Sequence, residues 1–521
     1  MGIRKVTAAV GAALLVSTVA ACGGGQSPNQ QAAQSLVVDT SFNIKSIDPA
    51  RQFEFTGSLI DSHLYQSALE FKDGDFSKPV DGLCSYELSE DLKTTTLTLK
   101  DTGAKFSDGS PVTADDIVFS YQRLQGIQGN PSFFLDDVTV TKVDDKTVTL
   151  VSKEPNPVLP YILPNSSMGI VNSKVVKENG GTTDENDKAE DFINKNSQGS
   201  GPYMIESYNP SSEVVFKVNP NYNGEKPKYE RVVMRNVDGE TQKVNVESGQ
   251  TDFALDLSPD QVRSLDKNAS VVKNSPSTYS LNLFTTASPE ISPISSNPKF
   301  QEALRYALDY DKMVELAGEG AERLASPEPN LFAGHVDPAK GPQRDLAKAK
   351  SLLAEAGYKG EAVPFHYSSD QTVSGVPLDQ LAQIIQASLA EADIKVDLKP
   401  APSATQLDAH RSGKQPMGLM SWGADYPDPE NYLVFAPGGS IGKRSQWMKG
   451  MNPEFDKLAA DAKAAGPDQR DAAYQALYTK MSMEGPFIGL IQPVRSIVAS
   501  NKKVSSFESN SDRSIVFESV K

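Results

Sequence analysis

Hydrophobic and polar positions alternate with period two over much of the first half of the chain. "SLVVDTS" (35–41), "TTTLTLK" (94–100) and "KTVTLVSK" (146–153) read as strands, because successive strand side chains point to opposite faces. Between the last two, "KFSDGSPVTADDIVFSYQRLQG" (105–126) changes period. Asp108-Gly109 predicts a turn, and Thr113 with Asp116 a capping box in which Asp replaces Glu. Ile117, Val118, Tyr121 and Leu124 then form one apolar helical face. The region 176–198 is polar, and its charge run "TTDENDKAEDF" reads as a solvated loop and helix. After a Gly-Pro break, two strands follow, joined by the turn Asn209-Pro210-Ser211-Ser212, and "KYERVVMRNV" (228–237) is another.

The second half moves to helical spacing. "NPKFQEALRYALDYDKMVELAG" (297–318) carries Phe300, Leu304, Ala307 and Leu308 on one face and predicts a helix ending at Gly318. "DLAKAKSLLAEAGY" (345–358) has Asp345 as its cap, Leu346, Leu353 and Ala356 inward, and Gly357 as its stop. "VPFHYSS", "PLDQLAQIIQASLAEA" and "IKVDLK" spell strand, helix, strand, the signature of a right-handed βαβ crossover in a parallel sheet. A helix from about Ala404 to Arg411 and the short strand "PMGLMS" (416–421) follow.

That strand leads into "SWGADYPDPENYL" (421–433). Here Asp425 stands between Trp422 and Tyr426, and Pro427 and Pro429 stiffen the exit. Open α/β sheets bind ligands outside the carboxyl ends of their strands, so this placement points to a ligand contact. The competing roles are a core anchor for Trp422 and a helix cap for Asp425.

Composition adds scale. The 521 residues can supply two to four domains' worth of core. With 38% hydrophobic and 23% charged residues the chain is ordinary for a water-soluble body. A formal charge of −16 makes it a poor partner for nucleic acid, whose phosphates would repel it. At the N-terminus, Arg4 and Lys5 precede an uncharged run from Val6 to Ala21, short for a membrane span and suited to a signal peptide over 1–21. The run ends in Val19-Ala20-Ala21-Cys22, which resembles a bacterial lipobox with Cys22 as the lipidated first residue; an ordinary signal-peptidase site is the alternative. An anchor of more than one acyl chain, at ~0.8 kcal/mol per buried CH₂, holds a protein lastingly at a membrane. Residues 22–34 are rich in Gly, Ser and Gln and read as a flexible tether. With Cys22 lipidated, Cys84 has no disulfide partner and reads as a small buried hydrophobe.

The sequence holds no P-loop or H-E-x-x-H, and His63, His335, His366 and His410 lack metal-ligand spacing. No cofactor, metal site or catalytic residue is expected. A carboxylate pair of the glycosidase kind stays open as the hydrolase alternative.

Five segments in order carry a resemblance: "KFSDGSPVTADDIVFSYQR", "GSGPYMIESYNP…VNPNYNGEKPKYERVVMR", "FQEALRYALDYDKMV", "DLAKAKSLLAEAGY" and "WGADYPDPENYL". Together they resemble the peptide-type extracellular solute-binding proteins (family 5) of ABC importers, over nearly the whole chain after the tether. "LCSYELSEDLK" departs from the usual Ala-Glu-Ser-Trp-Glu pattern, with Cys84 and Tyr86 in its place. The resemblance implies an α/β, two-lobed, hinged periplasmic-binding-protein fold (type II, cluster C-like) with an α+β domain inserted in lobe one. Lobe one would comprise 35–71, 199–285 and 491–521, the inserted domain 72–198, and lobe two 286–490.

It also implies a monomeric, non-enzymatic receptor at the extracytoplasmic face of the cell membrane, serving a permease and its ATPase subunits. In that family the Asp of Trp-x-x-Asp pairs with the ligand's α-ammonium, which by position is Asp425. Trp422 and Tyr426 would wall the first ligand side chain. Backbone around Gly423 and Ala424, and the strand "TYSLNLF" (278–284), would pair with an extended peptide. Tyr279 and Asn282 are candidate contacts with core packing as the competing role, and Phe42, within 42–47, is a candidate rim. Which cation would meet a ligand carboxylate is open: Arg411 and Arg444 are near the site in sequence, and neither has a motif behind it. A nickel complex, opine, sugar or glycolipid remains an alternative cargo, and sensing or scaffolding an alternative to transport.

Overall fold

The computed structural model describes residues 35–42, 44–509 and 513–521. The signal peptide, Cys22 and the tether lie outside the described residues. No helix among the described residues is long and apolar enough to cross a membrane.

The period-two segments become strands of three main sheets. A seven-stranded sheet runs in the order Ser270–Pro276, Val494–Ser500, Phe253–Ala254, Ser35–Thr40, Arg231–Asn236, Glu213–Val218, Tyr203–Asn209. Leu36 and Val38 of Ser35–Thr40 are fully buried on its core face, beside Phe216 and Phe253. A four-stranded antiparallel sheet, Cys84–Leu88, Thr94–Leu99, Thr147–Ser152 and Val138–Lys142, packs against the helix Ala114–Gly126. That helix starts at the Thr113/Asp116 capping box and buries Ile117, Tyr121 and Leu124. Cys84 is fully buried in the same core.

The third sheet has six strands: Glu322–Arg323, Phe487–Gln492, Tyr279–Thr285, Met417–Gly423, Val363–Ser368, Val396–Ala401. Val363–Ser368 and Val396–Ala401 run parallel on either side of the crossover helix Leu378–Glu391, as the βαβ pattern requires. The sheet as a whole is mixed, however, because Met417–Gly423 pairs antiparallel with Tyr279–Thr285. The helix expected over 297–318 is two helices, Pro298–Ala307 and Tyr310–Ala317. Leu308 turns extended, and Asp309 accepts from the Lys312 N–H to cap the second.

The chain passes twice, side by side, between the seven- and six-stranded sheets. Ser270–Pro276 runs through 277–278 into Tyr279–Thr285, and Phe487–Gln492 runs through Pro493 into Val494–Ser500. The Ser277 N–H donates to the Pro493 carbonyl (2.9 Å), and Gln492 Nε2 donates to the Ser277 carbonyl (2.9 Å). Tyr279–Thr285, expected within lobe one, lies in the six-stranded sheet: a strand pattern shows that a strand exists, not which sheet it joins.

The charge run at 182–192 is not wholly solvated. Asp187 is buried and accepts from Arg123 Nε (2.8 Å) and Nη2 (2.9 Å). The same guanidinium donates to both oxygens of Asp48 (2.7 and 2.6 Å). Burial pushes Asp187 upward, but the hydrogen bonds and charge of Arg123, helped by Arg51, outweigh it and hold the carboxyl below its usual range.

Candidate ligand-binding cleft

Met417–Gly423 ends at a glycine for a steric reason. Gly423 lies directly across the ladder from Tyr279, and a Cβ on it would sit 2.6 Å from Tyr279 Cζ. The tyrosine ring thus rests on bare backbone. The chain then bends through Ala424, Asp425 and Tyr426 into the 3₁₀ turn Pro429–Phe435, which Asp428 caps. Asn431 in that turn organises the bend. Its Oδ1 accepts from Trp422 Nε1 (3.2 Å) and the Asp425 N–H (3.4 Å), and its Nδ2 donates to Asp425 Oδ2 (3.5 Å).

Opposite this bend stands the region between residues 72 and 198. Asn165 Nδ2 donates to the Asp425 carbonyl (3.1 Å), and the Tyr426 ring meets Phe134 edge-on at 6.4 Å. These contacts close one side of a cavity of about 350 Å³. Asp425, Gly423, Ala424, Tyr426 and Tyr279 all line it. Burial pushes the Asp425 carboxyl above its usual range, and the Asn431 amide opposes this only in part. Burial likewise raises the Tyr426 phenol.

Three expected contacts lie elsewhere. Trp422 is on the opposite face of the strand from Gly423 and sets its indole edge-on against Phe435 (6.3 Å, 86°) in the second lobe's core. Asn282 is fully buried in the middle of its strand, donating to Ser280 Oγ (2.8 Å). Phe42 packs in the first lobe's core, together with Ile44 and Ile47. Nor does Tyr279–Thr285 offer a free edge to a peptide over 281–284, where Met417–Gly423 and Phe487–Gln492 flank it.

The cavity adds residues that sequence reasoning passed over. Arg495, not Arg411 or Arg444, lines it. Its guanidinium carbon lies 3.4 Å from the Phe55 ring centroid, and Nη1 donates to Ser514 Oγ (3.2 Å). Burial pulls its pKa down to about 10, so it remains a cation at neutral pH. A signal did exist: in "FIGLIQPVRSIVAS" (487–500) Arg495 is the only charged residue, a lone cation in an apolar run. Glu54 also lines the cavity and accepts from the N–H groups of Thr56 (2.8 Å) and Gly57 (2.7 Å), capping the helix Phe55–Leu64.

Comparison with known proteins agrees with this architecture. Residues 78–442 match the family described as "Bacterial extracellular solute-binding proteins, family 5 Middle". The "Probable D,D-dipeptide-binding periplasmic protein DdpA" of Escherichia coli K12 is 29% identical over 489 residues, 91% of either chain. "Heme-binding protein A" of Haemophilus influenzae is 25% identical over 532 residues, 94% of either chain. The crystal structure of the ABC transporter substrate-binding protein CtaP from Listeria monocytogenes superposes with a TM-score of 0.80 at 19% identity, covering 93% of this chain and 98% of that one. With its paired α/β lobes and the cleft between them, the chain belongs to the bacterial extracellular solute-binding proteins of family 5, which bind a solute rather than convert it.

Proposed function

We propose that the protein is a membrane-anchored extracytoplasmic receptor that captures a short peptide between its lobes and delivers it to an ABC importer. Asp425 carries the proposal. It is a desolvated carboxylate facing a cavity between lobes, and its side chain has only the long Asn431 contact as support. A ligand α-ammonium would supply the missing charge: a pair at 4 Å gains ~4 kcal/mol at an effective dielectric of 20, before desolvation. The relative named for D,D-dipeptide binding supports a peptide cargo.

The side-by-side crossings at 277–278 and 493 form a natural hinge, and ligand that touches both lobes favours the closed state through its differential affinity. Cys22 holds the receptor at the membrane, and permease and ATPase subunits supply the energy. Native mass spectrometry of the purified protein against a pool of dipeptides tests the reading. One-to-one complexes that release unchanged peptide, and that N-acetylation of the peptide abolishes, support it. Binding that ignores the amine, or turnover of the peptide, overturns it.

A further inference from the structure

One hairpin from outside the second lobe completes that lobe's core. Leu69–Glu70 pairs antiparallel with Val80–Asp81, and the loop between them is "FKDGDFSKP" (71–79). Phe71 and Phe76 of this loop are 8% and 6% exposed, and they sit in a cluster whose other buried members all lie between Phe284 and Phe487. The neighbouring core cluster of the six-stranded sheet takes its buried members only from 281–491.

The loop gets its shape from its own side of the cleft. Asp73 and Gly74 hold positive φ of 55° and 74°, the backbone of a two-residue hairpin turn, and the Asp75 N–H donates to the Lys72 carbonyl (2.9 Å) to close it. The Ser77 N–H donates to Asp75 Oδ1 (2.8 Å), and Tyr161 Oη donates to the Ser77 carbonyl (3.1 Å). None of these bonds involves the second lobe. Phe76 is therefore presented on a turn that does not need its seat in order to form.

From Phe76, rings run in contact to the hinge. Phe76 meets Phe71 edge-on at 5.0 Å and lies 6.3 Å from Phe332, Phe332 lies 5.8 Å from Tyr432, and Tyr432 Oη donates to the Thr278 carbonyl (3.0 Å) in one crossing. The Asn330 N–H, two residues before Phe332, donates to Gln492 Oε1 (2.8 Å), and Gln492 Nε2 holds the Ser277 carbonyl. The segment that receives Phe76 is thus tied to both crossings. Phe76 borders the cleft cavity, but its seat at Phe332 and Tyr432 is not part of the cavity wall. The rings meet whether or not cargo fills the cleft.

We propose that the 71–79 hairpin is a latch. Phe76 plugs the second lobe at Phe332 and holds the lobes together without cargo, so the empty receptor populates the closed form, and release of cargo requires this ring to withdraw. The attraction is apolar: opening the hinge returns the ring to water, and burial of one phenylalanine is worth about tenfold or more in such an equilibrium. The latch goes beyond the peptide reading and does not depend on it, since it needs only two lobes and a hinge.

The test is small-angle X-ray scattering on protein stripped of cargo by denaturation and refolding, with native mass spectrometry showing that no bound mass remains. The stripped wild-type protein should scatter as the closed arrangement, with Phe76 seated at Phe332. Phe76→Ala should shift the closed-to-open ratio about tenfold or more toward open, read as a larger radius of gyration. Phe76→Leu, which keeps an apolar plug, should regain most of the closure. Tyr161→Phe, a mild change that frees the loop from Tyr161 Oη, should move the ratio the same way by about threefold. Thermal melts establish that the variants fold, and the wild-type measurement needs no variant. An open wild-type protein after stripping overturns the latch. So does a folded Phe76→Ala that stays as closed as the wild type. If Phe76→Ala does not fold, Tyr161→Phe decides: an unchanged ratio there overturns the latch, and a shift toward open supports it.

Discussion

The molecule handles charge in two opposite ways within one fold. At Arg123, one guanidinium meets two carboxylates, Asp48 and Asp187, through four hydrogen bonds of 2.6–2.9 Å, and all three side chains are buried. In the cleft, Asp425 and Arg495 are partly buried, face the same cavity, and have no countercharge within ion-pair distance. The first arrangement satisfies itself and locks elements together. The second is left incomplete: Asp425 and Arg495 are each desolvated with no countercharge beside them.

Four measurements would break or sharpen this contrast. The largest effect is expected at the closed cluster: Arg123→Ala leaves two buried carboxylates with only the partly exposed Arg51 as countercharge and should lower unfolding free energy by about 3 kcal/mol in denaturant titration. A loss near zero would mean that the cluster does not lock the fold. In the cleft the same kind of change should spare stability and remove binding. Asp425→Asn should weaken a dipeptide about 100-fold, close to 3 kcal/mol, with a thermal melt near that of the wild type. Gly423→Ala comes next. The added methyl must displace the Tyr279 ring, which should cost about tenfold in affinity and little in stability, read by the same titration.

Acidification should separate the two regions by a smaller margin. Asp187 has a lowered folded pKa, so its stabilising contribution is complete above the unfolded value of about 3.9 and is lost as pH falls through the lower folded value. Asp425 has a raised pKa and must be ionised to hold an ammonium. Affinity should therefore decline as pH falls through that raised value, severalfold before the Asp187 contribution begins to fail. Loss of stability before loss of binding would reverse the assignment of roles.

Much of this was legible in the residues. The Thr113/Asp116 capping box, the Asp345 cap, the Asn209–Ser212 turn and the βαβ unit at 363–401 appear where their local patterns put them. So does the bend at Asp425, which Pro427 and Pro429 announce. Asp309 was the missed local signal: an acid between two apolar turns that caps a second helix rather than riding along one.

Elements and caps follow from the chain alone because they depend on neighbours within about one turn or one strand. What only the tertiary structure decided is which sheet Tyr279–Thr285 joins, which way Trp422, Asn282 and Phe42 face, and that Asp187 is buried against Arg123. It also decided that Arg495 shares a cavity with Asp425, an acid 70 positions earlier in the sequence. Strand partners and cavity walls are set by packing between distant segments, and periodicity carries no record of which distant segment that is.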